Sequence, residues 1–209
     1  MFDLDFTEDE IARRLAEGYK STYSDEAEYE EIYPPGFFNQ QPRPAAVLIP
    51  LVLQDHAWHI LFTRRTESLP EHSGQVAFPG GRTDPEDLSP EATALREASE
   101  EIGVNPTGVR LLGRLKSITT ITNYRVTPVI GRMDWPLSLR LATHEVSRAF
   151  TIPLSWLADP ANHEIRPRIL PPPYPAIPVI YFQPYDGELL WGVSAHITIN
   201  LLKVLVWQA

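Results

Sequence analysis

Cysteine is absent from the 209-residue chain, which excludes disulfide bonds and any zinc site built on cysteine ligands. Long apolar runs are absent too, since no stretch approaches the ~20 apolar residues that a transmembrane helix requires. Basic residues are outnumbered, with 18 Lys and Arg against 27 Asp and Glu and a net charge of −9. Nucleic acids and anionic membranes are bound by clusters of Lys and Arg. We therefore expect a protein that binds a small molecule and has no nucleic-acid or membrane partner.

Several familiar active-site patterns are also missing. The sequence has no phosphate-binding P-loop, no dinucleotide-binding glycine fingerprint and no spacing that indicates a Ser-His-Asp triad, and its six His residues lack metal-ligand spacing. The N-terminal stretch MFDLDFTEDE lacks a signal-peptide pattern. Together with the lack of cysteine, this favours a cytoplasmic protein. The sequence leaves open whether it is a monomer or a homodimer.

Hydrophobic periodicity divides the chain into two unequal parts. Residues 8–19 have the apolar spacing of an amphipathic helix, with Thr7 as its cap. Residues 20–44 are polar and contain proline, so we interpret 1–44 as an N-terminal helix and wrapping arm. Residues 45–209 are interpreted as one domain.

Within that domain the pattern predicts strands over 45–53, 59–64, 75–78, 109–117 and 124–132. The segment 144–157 is either a helix or a strand, and residues 166–178 are expected to be extended because they hold six Pro. Asp186-Gly187 is a hairpin-turn signal between two further strands. Residues 194–208 are predicted to close the chain as an apolar helix.

The most informative segment is FPGGRTDPEDLSPEATALREASEEIGV, residues 78–104. Ser89 suits the N-cap of a helix, Pro90 its first position and Gly103 the residue that ends it. On that helix Glu97, Glu100 and Glu101 project toward one side, opposite an apolar stripe that includes Ala98 and Ile102. Like charges at this spacing cost a few tenths of a kcal/mol per pair, so something should offset their repulsion.

A divalent cation would provide that offset. Converging carboxylates form the hard-oxygen site that Mg²⁺ or Mn²⁺ prefers, and Gly80-Gly81, at a strand-to-helix junction, allows the backbone to approach a phosphate or a metal closely. The alternative is a solvated acidic face on which Arg96 pairs with Glu100. Asp84, Glu86 and Asp87, in the loop before the helix, are expected to be solvated rather than to touch the metal.

The stretch REASEEIGV, residues 96–104, resembles the core of the Nudix box, the motif of hydrolases that cut a nucleoside diphosphate linked to another moiety. The generic box carries Glu eight residues before its Arg, where this chain has Leu88. That longer loop is similar to the coenzyme A diphosphatase-like branch of the family. Three further segments resemble the same branch: LFTRRTESLPEHSGQVAFPGG (61–81), NYRVTPVIG (123–131) and WGVSAHI (191–197).

The resemblance implies an α/β/α sandwich around a mixed sheet, with the box as a loop–helix–loop. It implies that Glu97, Glu100 and Glu101, with Gly81, hold Mg²⁺ or Mn²⁺ and that Arg96 orients a box carboxylate. The implied reaction is cleavage of coenzyme A or its thioesters to 3′,5′-ADP and 4′-phosphopantetheine. The alternatives are a Nudix hydrolase of ADP-ribose, a nucleotide sugar or a nucleoside triphosphate, or a Nudix-fold binding module without catalysis.

The remaining candidates concern the substrate. Arg64 and Arg65 end a strand, and since neighbouring strand residues point to opposite faces, at most one should reach a substrate phosphate. Arg65 is the first candidate, also for the 3′-phosphate of coenzyme A, with Arg64 and Arg125 behind it. Gly80, Gly81 and His72 are further substrate-binding candidates. Glu145 resembles a position where some Nudix enzymes place a late acid, as an extra metal ligand or a base; the alternative is an ordinary charge at a helix start.

Overall fold

The computed structural model describes residues 4–21, 29–30, 33, 37–68 and 72–207. The helices there are α1 (Glu8–Ser21), α2 (Pro90–Ile102), α3 (Leu154–Ala158) and α4 (Gly192–Leu205). The strands are β1 (Tyr29–Glu30), β2 (Arg43–Gln54), β3 (Ala57–Arg65), β4 (Val76–Ala77), β5 (Gly80–Arg82), β6 (Val109–Arg114), β7 (Ser117–Thr119), β8 (Tyr124–Met133), β9 (Val146–Pro153), β10 (His163–Arg168) and β11 (Ile177–Phe182).

Strand β2 is the centre of a mixed sheet that contains nine of the strands in the described ranges. It runs parallel to β8 along its length and antiparallel to β3 at its far end, from Leu51 to Gln54. Near its start, Ala45–Val47 pair instead with the short strand β5. Asp55 and His56, both with positive φ, make the tight turn from β2 into β3. Strands β10 and β11 form a separate antiparallel pair.

The two faces of β2 bury different partners. Ala46 and Leu48 pack in the cluster that contains Ala94, Ala98 and Ile102 of α2. The alternate residues, such as Ile49, pack on the other face with α1 and α4. Because both faces of this strand are covered, its sequence is a nearly continuous apolar run. The predicted α/β/α sandwich is confirmed.

Helix α2 begins and ends where the sequence predicts. The Ser89 hydroxyl accepts a hydrogen bond from the Ala92 amide at 3.2 Å, and Pro90 occupies the first turn. Gly103 ends the helix in the left-handed region, with φ of 71°, and its amide donates to the Ser99 carbonyl. The segment between β8 and β9 covers the end of the helix, since the Arg140 and Ala142 amides donate to the carbonyls of Ile102 and Glu101.

Other predictions need correction. The strand predicted over 109–117 is two strands, β6 and β7, and the undecided segment 144–157 is strand β9 followed by the short helix α3. The proline-rich stretch 166–178 contains the end of β10, a strand that the sequence pattern does not predict. The Asp186-Gly187 turn is present, but its second arm forms only isolated bridges. Most of the arm predicted for 20–44 lies outside the described residues.

Helix α1 confirms the prediction for residues 8–19, with the Glu10 amide donating to the Thr7 hydroxyl at 3.2 Å. Its buried side, with Ile11 and Leu15, packs in the same cluster as α4. None of the helices in the described ranges is long and apolar enough to cross a lipid bilayer.

Replacing Ser89 tests the cap of α2. We expect Ser89→Ala to lower the free energy of unfolding by about 1 kcal/mol, because the Ala92 amide loses its acceptor. Ser89→Asp keeps an acceptor and should restore most of the loss. Urea denaturation of the three proteins measures this, and an equal loss in both variants would contradict the capping role.

Candidate active site

The acidic face of α2 opens into a cavity of ≈ 640 Å³ at the edge of the sheet. Helix α2, strand β5, the end of β3 and the segment before β9 all contribute to its wall. The lining residues are Arg65, Gly80, Gly81, Arg82, Asp84, Arg96, Glu97, Glu100, Glu101, Ala142, His144 and Glu145. This space is the carboxylate cavity. Five of its side chains are carboxylates and three are arginines, so it carries an excess of negative charge.

Glu101 is the buried acid of the cavity, with 4% of its surface exposed. Its Oε2 accepts the Gly80 amide at 3.3 Å, and its Oε1 is 3.9 Å from an Arg65 nitrogen. Burial raises the pKa of Glu101 to about 8, Arg65 partly offsets this, and the charge of Glu97 raises it further. Without more positive charge nearby, this carboxyl is therefore mostly protonated at neutral pH.

Glu97 lies against the glycine pair. A Cβ on Gly81 would be only 2.5 Å from the Glu97 carboxyl carbon, so the carboxylate occupies space that any other side chain would take. Burial raises the pKa of Glu97, Arg96 lowers it, and the charges of Glu100 and Glu145 raise it further. The third acid of the face, Glu100, is much more open, with 61% of its side chain exposed.

Arg96 connects this face to the loop before the helix. Its Nη1 donates to Glu97 at 3.0 Å and to Glu100 at 3.3 Å. Its Nε and Nη2 both bond to the Asp87 carboxylate, and Nη2 also donates to the Arg82 carbonyl at 2.9 Å. The guanidinium therefore links Glu97 and Glu100 to the loop before α2 and to strand β5.

Asp87 is the residue that the sequence analysis misjudged. We expected a solvated loop acid, but only 7% of its side chain is exposed and Arg96 holds the pKa of the Asp87 carboxyl down at about 2. A signal was available, because Asp87 stands one residue before Leu88, the position where the generic box has its acid. Leu88 itself is 96% exposed. Although the loop is longer than in the generic box, it still brings a carboxylate, that of Asp87, into contact with Arg96.

Glu145 reaches the cavity from a distant part of the chain. The Thr66 amide donates to the Glu145 carbonyl at 2.9 Å, which joins this segment to the end of β3. The segment is also tied to α2 through the Ala142 amide. The late acid therefore faces the same space as Glu97 and Glu101, and its charge acts on both.

The three candidate arginines lie in different places. Arg65 lines the carboxylate cavity, whereas Arg64 points elsewhere, donating to Glu67 at 2.6 Å and lying 3.7 Å from Glu188. In the part of the chain that the structure describes, the Arg65 Nε is buried and has no hydrogen-bond acceptor. Arg125 lines neither this cavity nor the one next to it. Of the three, the structure brings only Arg65 to the carboxylates.

A second cavity of ≈ 490 Å³ adjoins the first, since Arg65, Gly80, Gly81 and Arg82 line both. It lies on the opposite face of the sheet and is called here the apolar cavity. Its floor consists of alternate residues of two neighbouring strands, namely Ala45, Val47, Tyr124 and Val126; its walls include residues 177–180 and the first turn of α4. His72 lies here rather than among the carboxylates, with its Nδ1 2.9 Å from the Gln75 Oε1.

The carboxylate cavity suits a divalent cation. Within the described residues, no three Asp, Glu or His side chains are grouped closely enough to hold a metal ion as they stand. Arg96 and the Gly80 amide instead donate hydrogen bonds to the carboxylates. However, the carboxylates supply hard oxygen ligands, and the cavity carries an excess of negative charge. Burial also favours the protonated form of Glu101. An added cation would return Glu101 to its charged state.

Comparison with known proteins assigns the family. The model of the NUDIX domain matches residues 42–171, more than half of the chain. The chain belongs to the Nudix family. It is 38% identical over 178 residues to an uncharacterized Nudix hydrolase, NudL, of Photorhabdus laumondii, which covers 81% of this chain and 89% of that protein. The NudL of Yersinia enterocolitica is 34% identical and covers 81% and 85%.

Two solved structures share the fold. DR0079 from Deinococcus radiodurans aligns with a TM-score of 0.51 at 14% identity, over 80% of this chain and 87% of that one. A MutT/nudix family protein from Enterococcus faecalis gives 0.50 at 16% identity, over 79% and 62%. The protein is thus a Nudix hydrolase, an enzyme for phosphoanhydride bonds of nucleoside diphosphate derivatives, in a family that generally uses divalent metal ions.

Gly81→Ala tests the contact with Glu97. The new methyl group would displace the carboxylate, so we expect turnover to fall at least about tenfold, as for a misplaced catalytic group. The unfolding free energy should change little, since φ at Gly81 is not positive. Gly108→Ala is the control, because a Cβ there meets nothing within 4 Å. Equal turnover in both variants would exclude a role for the close packing at Gly81.

Asp87→Asn tests the support of Arg96. The pKa of Asp87 falls from 3.8 to about 2 on folding, so its contribution is complete above the higher value and disappears as pH falls through the lower. We therefore expect the unfolding free energy of the wild type to exceed that of Asp87→Asn at neutral pH and the difference to vanish near pH 2. Chemical denaturation at several pH values measures this. Asp84→Asn, whose carboxylate is 56% exposed and 3.7 Å from Arg96, should show a much smaller difference.

Proposed function

We propose that this Nudix hydrolase cleaves the diphosphate of coenzyme A or its thioesters, with Mg²⁺ or Mn²⁺, to 3′,5′-ADP and a 4′-phosphopantetheine moiety. One observation carries the proposal. The carboxylate cavity continues, past Gly80 and Gly81, into a large apolar cavity whose lining contains no Asp or Glu among the residues described. A substrate that spans both spaces has an anionic bridge and bulky groups beyond it.

The apolar cavity suits the groups that coenzyme A attaches to its diphosphate. Its aliphatic floor and walls can bury the methyl-bearing arm of pantetheine or the face of a purine. Its cationic lining residues include Arg65, Arg82 and Arg168, in a protein whose net charge is −9. This combination favours a ligand that is large, partly apolar and more anionic than its diphosphate alone. The similarity of segments 61–81 and 191–197 to the coenzyme A branch supports the same substrate.

The carboxylate side chains would hold the metal. Glu97, Glu100 and Glu101 are the ligands we assign, and a bound divalent cation would neutralise the diphosphate oxygens and stabilise the leaving phosphate. Arg65 lies between the two cavities, so its guanidinium can bind a diphosphate oxygen and orient it. Glu145 faces the same space and is our candidate for accepting the proton of the attacking water.

The rival substrates differ in what lies beyond the diphosphate. ADP-ribose and nucleotide sugars carry a polar sugar there, and nucleoside triphosphates carry only phosphate, so in each of them only the base can use an apolar wall, whereas coenzyme A also offers its pantetheine arm. A binding module without catalysis would not need Glu97 and Glu101 close together, where burial and the neighbouring carboxylate charges disfavour their ionised forms. In both respects the described residues favour the enzyme and the larger substrate. The lack of cysteine agrees with a cytoplasmic location, which we include in the proposal.

A substrate panel with mass analysis of the products tests the proposal. With Mg²⁺ or Mn²⁺ the protein should convert coenzyme A to 3′,5′-ADP and 4′-phosphopantetheine faster than it cleaves ADP-ribose, a nucleotide sugar or a nucleoside triphosphate. Glu101→Gln should lower turnover by orders of magnitude, because a neutral amide replaces the buried ligand. Glu86→Gln, in the exposed loop, is the matched control. Faster cleavage of ADP-ribose than of coenzyme A would move the protein to another branch of the family.

A further inference from the structure

Two arginines converge on one tyrosine ring at the rim of the apolar cavity. The guanidinium carbon of Arg43 lies 4.1 Å from the centre of the Tyr124 ring, and that of Arg82 lies 5.5 Å from it. Two cations held against the same ring repel each other. In the part of the chain that the structure describes, neither has a carboxylate within salt-bridge distance. An anion placed at this pair would relieve the repulsion.

The backbone fixes the pair in position. Arg82 is the last residue of β5, where it pairs with Ala45, and its carbonyl accepts from Arg96. Arg43 begins β2 directly beside Tyr124 of β8, and its Nη2 donates to the Thr122 carbonyl at 3.3 Å. The arginines are therefore presented from neighbouring strands, and their exposed side chains meet at the Tyr124 ring. Such preorganised guanidinium forks match the oxygens of a phosphate group.

The location limits which phosphate this can be. Arg82 directly follows Gly81, which lies against Glu97, so the backbone of Arg82 is one residue away from the glycine that contacts the carboxylates. Arg82 lines the carboxylate cavity and the apolar cavity alike, and Arg43 lies beside Tyr124, which lines the apolar cavity. A nucleoside 5′-diphosphate that carries a 3′-phosphate has a second anionic group on its ribose, beyond the diphosphate, and the arginine pair provides cations for such a group.

We propose that Arg43 and Arg82, arranged around Tyr124, form a second phosphate-binding site that recognises a phosphate monoester on the ribose of the substrate. The inference rests on the proposed function, since it assigns a further contact to the same substrate. It replaces the expectation that Arg65 binds the 3′-phosphate of coenzyme A. Arg65 lies 3.9 Å from the Glu101 carboxylate, so its charge serves the diphosphate end of the site.

Specificity constants for coenzyme A and dephospho-coenzyme A test the site. The wild type should prefer coenzyme A by about 10- to 150-fold, the range of one charge-assisted contact. Arg43→Gln and Arg82→Gln should each reduce that preference, and the double variant should abolish it while still cleaving dephospho-coenzyme A. Arg166→Gln is the matched control, since Arg166 also stacks on a tyrosine, Tyr181, but is paired with Glu164 and lines neither cavity. It should leave the preference unchanged.

Arg65→Gln separates this assignment from the earlier one. It should lower the turnover of both substrates by a similar factor and keep their ratio. If Arg65→Gln abolishes the preference, or if the double variant Arg43→Gln with Arg82→Gln retains it, the proposal is wrong. A wild type that treats coenzyme A and dephospho-coenzyme A equally also overturns it.

A binding experiment without turnover keeps the two proposals separate. In calorimetry, 3′,5′-ADP should bind the wild type more tightly than 5′-AMP, and the double variant should bind both alike. Inorganic phosphate should compete weakly; if it binds the arginine pair as tightly as 3′,5′-ADP does, the occupant is free phosphate and the substrate contact is wrong. A protein that cleaves neither coenzyme A nor its dephospho form would refute the proposed function, yet the nucleotide comparison would still decide whether the site exists.

Discussion

The site depends on one guanidinium, that of Arg96. It is the only cation in the described part of the chain that contacts both Glu97 and Glu100, and it anchors them to Asp87 and to the Arg82 carbonyl. Without it, the acidic face of α2 would be a row of repelling charges, and the Asp87 carboxylate of the preceding loop would lose its cationic partner. With it, helix, loop and strand β5 are joined into one unit. The strongest bonds of this unit are charge-assisted, so its geometry is maintained before any ligand arrives.

The sequence predicted the parts of the molecule that follow local rules. The caps of α2 could be located because Ser89, Pro90 and Gly103 each have a strong positional preference. The α/β/α architecture came from a resemblance. The convergence of Glu145 with Glu97 could be expected only by analogy, because it depends on hydrogen bonds that join the end of α2, the end of β3 and the start of β9.

The features that the sequence does not predict depend on tertiary contacts. Strand β10 contains Pro167 and leaves most of its surface exposed, so neither apolar alternation nor propensity marks it; its pairing with β11 creates it. Asp87 was misjudged because a loop acid has no periodicity and only a partner distinguishes it from a solvated one. The arginine pair on Tyr124 was invisible for the same reason, since Arg43 and Arg82 meet only through the register of β2 with β5 and β8.

Strand β5 has consequences for how this enzyme can change over evolutionary time. Its two glycines line both cavities, and the carboxylates lie on one face of the sheet while most of the apolar cavity lies on the other. The residues of β8, β11 and α4 that line the apolar cavity can therefore vary without touching α2, because a layer of backbone separates the two groups. The fold thus isolates bond cleavage from substrate choice, and new specificities can arise from mutations that leave the chemistry untouched.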